Sequence, residues 1–132
     1  MDLISVIIPY YRKKIFIKEA IISVLNQSYK NFEIILIYDD SNTDDLNYIK
    51  EIVNTHNKIS LIVNTKCIGA GLSRNLGIQS SKGKYVAFLD SDDIWKKNKL
   101  EVQLDSMKKN NYKISHTSYE IIDLKNNVIG NR

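Results

Sequence analysis

Residues 3–40 read LISVIIPYYRKKIFIKEAIISVLNQSYKNFEIILIYDD. Leu3 to Ile8 is a β-branched, apolar run that Pro9 stops, the pattern of a strand buried on both faces. Ile17, Ala20, Ile21, Val24 and Leu25 then recur at helical spacing, so a helix is predicted from about Ile15 to Gln27. Phe32 to Tyr38 is a second apolar strand, closed by Asp39 and Asp40. A buried strand, an amphipathic helix and a second buried strand make a parallel pair with a helical crossover.

The same alternation continues downstream. Asp39 to Asp44 is polar and turn-forming, with good helix N-cap candidates. Leu46, Ile49, Ile52 and Val53 mark a second helix, and Ile59 to Val63 a third strand. Gly69 and Gly71 open a helix carrying Leu72, Leu76 and Ile78. Tyr85 to Leu89 is a fourth strand. Leu100, Leu104 and Met107 place a helix from about Lys97 to Asn110. Ile114 to Ile122, the turn Asn126-Asn127 and Val128-Ile129 read as a closing hairpin. The order βαβαβαβα plus a hairpin predicts an α/β fold, Rossmann-like, with a mostly parallel sheet and helices on both faces. No repeat or linker interrupts it, and 132 residues suit one domain spanning 1–132.

With 43% hydrophobic and 26% charged residues the chain is globular rather than disordered. The net charge of +4 comes from scattered lysines, with small clusters at Arg12-Lys13-Lys14 and Lys96-Lys97. Such a diffuse excess is a solvated surface and gives no ground for a nucleic-acid partner. The lone Cys67 excludes an internal disulfide and fits a reducing compartment. The start, Met1-Asp2-Leu3, has no basic stretch before an apolar one, and the apolar runs are too short to span a bilayer. The expectation is a cytoplasmic domain that can sit at the inner face of a membrane.

In doubly wound sheets, ligands bind outside the carboxyl ends of the strands. The residues there are Pro9-Tyr10-Tyr11, Asp39-Asp40, Asn64-Thr65-Lys66 and Asp90-Ser91-Asp92-Asp93. Two acidic groups, after the second and fourth strands, therefore emerge on one edge. Asp90 and Asp92 point to the same side if extended geometry persists. Such close carboxylates repel unless a cation or donor sits between them, and a hard divalent metal bridging to phosphates is the natural partner. The plainer alternative is that Asp92 or Asp93 caps the next helix. Asp-x-Asp alone is a common tripeptide. Its place after an apolar strand, facing a second acidic pair, gives it weight.

Three stretches, SVIIPYYRKKIFIKEAIISVLNQSYKNFEIILIYDDSNTDD, GAGLSRNLGIQSSKGKYVAFLDSDDIW and HTSYEIID, cover nearly the whole chain. In order and spacing they resemble the amino-terminal part of a family 2 glycosyltransferase with the GT-A fold, truncated at its carboxy-terminal end. The resemblance implies a donor-binding half that holds a nucleotide-diphosphate sugar, most commonly of UDP. Pro9, Tyr10 and Tyr11 would line the base. Asp39 or Asp40 would accept a hydrogen bond from the uracil ring. One extra residue after Phe32, and Ser41 where glycine is frequent, leave open which of the two does so. Arg74, in Ser73-Arg74-Asn75-Leu76-Gly77, would lie beside the nucleotide. Asp90 and Ser91 would lie near the ribose, and Asp92 with Asp90 would ligate Mn²⁺ or Mg²⁺ and so neutralise the leaving diphosphate.

The resemblance further implies metal-dependent, inverting transfer to a sugar or lipid-linked acceptor in cell-surface polysaccharide or lipopolysaccharide assembly. Inversion needs a general base, which the family takes from a segment beyond the point matching Arg132. Glu120 and Asp123 are the late acids, and neither is assigned that role. The chain alone is thus expected to bind donor but transfer poorly, and the alternative is a non-catalytic nucleotide-sugar-binding module. An uncovered apolar face would favour a homo-oligomer. Gly69, Gly71 and Gly77 are not a phosphate loop, since no Gly-Lys-Ser/Thr follows. They are read as backbone permissiveness and close packing. His56, His116 and Cys67 lack clustered partners, and Trp95 is expected to pack under the acidic loop. A phospho-acceptor signalling domain would need acids after strands one and three, which this sequence lacks.

Overall fold

The structure is a computed structural model and describes residues 1–132. Its elements are β1 (Ile4–Tyr10), α1 (Lys14–Leu25), β2 (Phe32–Tyr38), α2 (Thr43–Asn54), β3 (Ile59–Val63), α3 (Ala70–Ser80), β4 (Tyr85–Phe88), α4 (Lys99–Asn110), β5 (Glu120–Ile122) and β6 (Val128–Asn131). The chain divides into two compact units, Met1–Asn98 and Lys99–Arg132.

The first unit is an α/β layer structure. Its four strands are all parallel, in the order β3-β2-β1-β4. β1 is buried along its whole length, and β2 is buried except at Glu33, which accepts from the buried Ser5 hydroxyl at 2.6 Å, in keeping with their mainly apolar sequences. Going from β1 to β2 to β3 the chain steps one way across the sheet, and from β3 to β4 it steps back. Right-handed crossovers therefore put α1 and α2 on one face and α3 on the other.

Gly77 is what lets α3 lie close. A β-carbon there would stand 2.5 Å from Ile7 Cγ2 and 3.1 Å from Ile37 Cδ1. Gly69 precedes α3 at φ 88°, in the left-handed region that glycine adopts freely. Gly71 has neither feature, because a β-carbon there meets nothing within 4 Å. The packing expectation thus fails at Gly71.

Pro9 does not stop β1, which runs on to Tyr10. The reason is directional. The Ile7 carbonyl accepts from Leu89 N–H on the β4 side, and the Tyr10 carbonyl accepts from Asp39 N–H on the β2 side. Backbone groups alternate along a strand, so Pro9 faces the β4 side, beyond the last pair, Ile7↔Phe88. No ladder bond needs its missing N–H. β4 is an outer strand, as is β3 at the other edge, and Val86 and Phe88 on β4 are exposed.

The second unit holds α4 and the antiparallel pair β5–β6. The strand expected from Ile114 is only three residues long, Glu120–Ile122. Its partner β6 is Val128–Asn131, Tyr119 and Arg132 exchange backbone hydrogen bonds at 2.8 and 2.9 Å, and the register shifts on the turn side, at Ile121/Ile122.

Candidate functional site

Parallel pairing brings the carboxyl ends of the four strands to one edge, where the structure collects the residues expected of a site. Pro9 and Tyr10 are buried. The Tyr10 ring stacks on Tyr38, its register partner, at 5.0 Å between centroids and 13° between planes. Tyr10 Oη donates to Asp45 Oδ2 at 3.3 Å, and Tyr38 Oη donates to the Asn42 carbonyl. Burial, then the nearby carboxylates Asp40 and Asp45, push the Tyr38 hydroxyl up to about 12. Burial and Asp45 push Tyr10 up as well. This pair plugs the strand ends. Within Pro9-Tyr10-Tyr11 the exposed ring is Tyr11, and the Arg12 guanidinium lies 4.9 Å from its centroid.

The two aspartates after β2 have different surroundings. Asp39 is 2% exposed. Its carboxylate accepts from Asn64 Nδ2, Ile68 N–H and Gly69 N–H, each at 2.8 Å, and from the Cys67 thiol at 3.4 Å. Burial alone would raise its pKa, but these donors outweigh it and hold the carboxyl below the ordinary value. The capacity of Asp39 is thus taken up inside the protein. Asp40 bends back with Oδ1 on Ser41 N–H at 2.7 Å and Asn42 N–H at 3.3 Å. Its Oδ2 is buried and has no partner.

The acidic loop after β4 is a tight turn, with Asp93 N–H on the Asp90 carbonyl at 3.0 Å. Arg74, on α3, reaches Asp90 Oδ1 through Nη2 at 2.7 Å. Lys13, at the start of α1, reaches Asp92 Oδ2 at 3.0 Å. Ser91 is buried. Burial first, then the charges of Asp92 and Asp90, hold the Asp93 carboxyl above its ordinary value, so the three acids share one field.

Two residues missed in the sequence fix this loop. Ser23 Oγ accepts from Trp95 N–H at 3.1 Å, and Gln27 Nε2 donates to the Lys96 carbonyl at 2.8 Å. Both are buried polar groups, Ser23 on α1 and Gln27 just past its C-cap Asn26, and their four-residue spacing in line with the apolar stripe of α1 is the signal that could have found them. Trp95 itself is half-buried. His56 lines a groove of about 250 Å³ between α1 and α2 with Ile21, Ile22 and Tyr48.

A divalent metal is implied by the resemblance, and the donor set can be judged directly. No three acidic, cysteine or histidine side chains converge on a closed centre. Asp90 and Asp92 instead offer hard oxygens that already attract cations, Arg74 and Lys13. That fits a magnesium- or manganese-type site, in which one or two carboxylates are completed by substrate phosphates.

The structure thus brings a parallel sheet, an acidic loop, a paired arginine and an acidic turn to one edge. Residues 5–132 match the sequence model of the family described as Glycosyl transferase family 2, and the chain belongs to that family. An uncharacterized glycosyltransferase of Rickettsia felis is 47% identical over 126 residues, which span 96% of this chain and 21% of the relative. The Escherichia coli UDP-Glc:alpha-D-GlcNAc-diphosphoundecaprenol beta-1,3-glucosyltransferase WfgD is 40% identical over 128 residues, 97% of this chain and 49% of the relative. Among solved structures, S. aureus TarS 1–349 in complex with UDP-GlcNAc superposes with a TM-score of 0.73 and 26% identity, over 84% of this chain and 32% of that one. The chain therefore spans between about a fifth and a half of the length of these proteins. No helix is long and apolar enough to cross a membrane.

Proposed function

We propose that residues 1–132 form the single donor-binding part of a metal-dependent, inverting glycosyltransferase. It takes a UDP-sugar and serves transfer to a lipid-linked acceptor in cell-surface polysaccharide assembly, at the cytoplasmic face of a membrane. The observation that carries this reading is the pairing of the two loop carboxylates, Asp90 with Arg74 and Asp92 with Lys13, on the edge where Tyr11 is exposed. The relatives' names support the donor and acceptor classes, one naming UDP-Glc and a diphosphoundecaprenol and another structure holding UDP-GlcNAc.

Each residue then has a task. Tyr11 offers an exposed ring to pack the base. Asp40, whose Oδ2 is buried without a partner, accepts from the base once that oxygen is uncovered, while Asp39 shapes the wall. Arg74 holds Asp90 beside the ribose and presents its remaining donors to the phosphates. Asp92 with Asp90 would hold the metal, whose chemistry is charge neutralisation on the leaving diphosphate. The general base comes from outside these residues, so the chain alone binds donor without efficient transfer.

Calorimetric titration of UDP, with and without Mn²⁺, into the wild type and Asp92→Ala tests the reading. Manganese-dependent binding that Asp92→Ala removes is expected. Equal UDP binding by both proteins would overturn it.

A further inference from the structure

Lys13 stands where the metal is expected to act. Its ammonium lies 3.0 Å from Asp92 Oδ2, with side-chain exposures of 40% and 38% for the two partners. Its backbone is fixed, because the Lys13 carbonyl accepts the N–H groups of Phe16 and Ile17, both at 3.0 Å, as α1 begins. Its side chain takes no part in capping that helix. The preceding Arg12 sits at φ 50°. For a residue other than glycine that left-handed geometry is strained. Such strain persists where the surroundings demand it, often at functional sites. Here the strained turn delivers Lys13 to the acidic loop.

We infer that Lys13 is the resident counter-ion of Asp92, which it must release before a divalent cation can use that carboxylate, and that the freed ammonium then turns to the diphosphate. The inference rests on the donor-site reading above. An ammonium and a divalent ion on one oxygen repel each other. A free metal must therefore displace Lys13 with nothing to receive it. A metal arriving with a diphosphate brings phosphate oxygens, which lysine binds well as a point charge. Arg74 plays the corresponding part for Asp90, but its guanidinium has donors to spare and need not leave. The edge thus favours the metal–diphosphate pair over the bare metal.

The test measures Mn²⁺ alone by water-proton relaxation, and UDP in the presence of Mn²⁺ by calorimetry. The proteins are the wild type, Lys13→Gln, Lys13→Arg and Asp92→Asn. Exposed ion pairs are weak, so Lys13→Gln should bind Mn²⁺ alone about two- to fivefold tighter. The same variant should bind UDP with Mn²⁺ roughly two- to tenfold more weakly, having lost one charged contact. Lys13→Arg should keep the wild-type order, and Asp92→Asn should lose Mn²⁺ in both experiments. If Asp92→Asn loses Mn²⁺ while Lys13→Gln leaves metal affinity unchanged, the counter-ion role is overturned and the donor site stands. Tighter metal with undiminished UDP affinity would overturn the move to the diphosphate. Unaltered Mn²⁺ binding by Asp92→Asn would overturn the donor-site reading and this inference together.

Discussion

The Asp39 carboxylate and the backbone N–H of Gly69 are 2.8 Å apart, and this bond ties the end of β2 to the start of α3. With Ile68 N–H on its other oxygen, Asp39 satisfies two donors that a helix entrance would otherwise leave open. Replacing Asp39 by Ala leaves buried donors unmet. The expected loss is about 2–3 kcal/mol in urea unfolding, the range for hydrogen bonds to a charged group. The folded carboxyl lies below its ordinary value of 3.8. Its stabilisation is therefore complete above that value and is lost as pH falls through the lower folded value. Asp39→Ala should flatten the acid limb of the stability curve, and an unchanged acid limb would exclude this role.

Two glycines of one helix should respond with opposite sign. Gly77→Ala forces a β-carbon against Ile7 and Ile37, and overpacking of this kind costs about 1–3 kcal/mol. Gly71→Ala enters open space and should gain roughly 0.5–1 kcal/mol from helix propensity. Thermal unfolding of both variants checks the contrast, and a destabilised Gly71→Ala would refute the account of α3.

The Tyr10–Tyr38 stack makes an alkaline prediction. Folding raises the Tyr38 hydroxyl from 10.0 to about 12, so the folded state keeps a proton that the unfolded chain has lost. Its contribution is whole below 10.0 and is lost as pH rises through about 12. Tyrosinate absorbance should show two of the eight tyrosines ionising late. Tyr38→Phe should remove one late step and soften the alkaline fall in stability.

Asp40→Asn should separate ligand affinity from fold. Oδ1 can still accept from Ser41 and Asn42, and the buried Oδ2 has no bond to lose, so stability should change by about 1 kcal/mol or less. UDP affinity should fall roughly tenfold, the cost of one charge-assisted hydrogen bond. Calorimetry beside Asp39→Asn distinguishes the acids. A larger specific loss of base affinity for a stably folded Asp39→Asn would reverse their assignment.

The strands and helices were legible because burial writes itself as pattern. Ile34 to Tyr38 is apolar without break and is buried without break. The parallel sense of the sheet and the edge holding the acids followed from alternation alone, whereas the strand order β3-β2-β1-β4 came from the structure. What the sequence did not display was direction. Pro9 is tolerated because of the side toward which its nitrogen points. Tyr10 and Tyr11 are adjacent and chemically alike, yet one is buried in a stack and the other exposed. Asp39 and Asp40 are identical in type, and only the donors of the 64–69 segment separate them. Ser23 and Gln27 lay inside an apolar stripe whose hydrophobic neighbours drew the reading. The tail was over-read, since the strand expected from Ile114 begins only at Glu120.

The strand order has a consequence for how the site comes into being. Ile4 meets Phe32 on one side and Tyr85 on the other, so β1 is paired first by a near neighbour and much later by a distant one. Loop closure costs more entropy for the second pairing, which places β4 late in assembly. The acidic loop travels with β4. Arg74 and Lys13 have nothing to grip until the last strand docks, so occupancy of this edge reports the completed first unit. A ligand held there stabilises that unit as a whole rather than the loop alone.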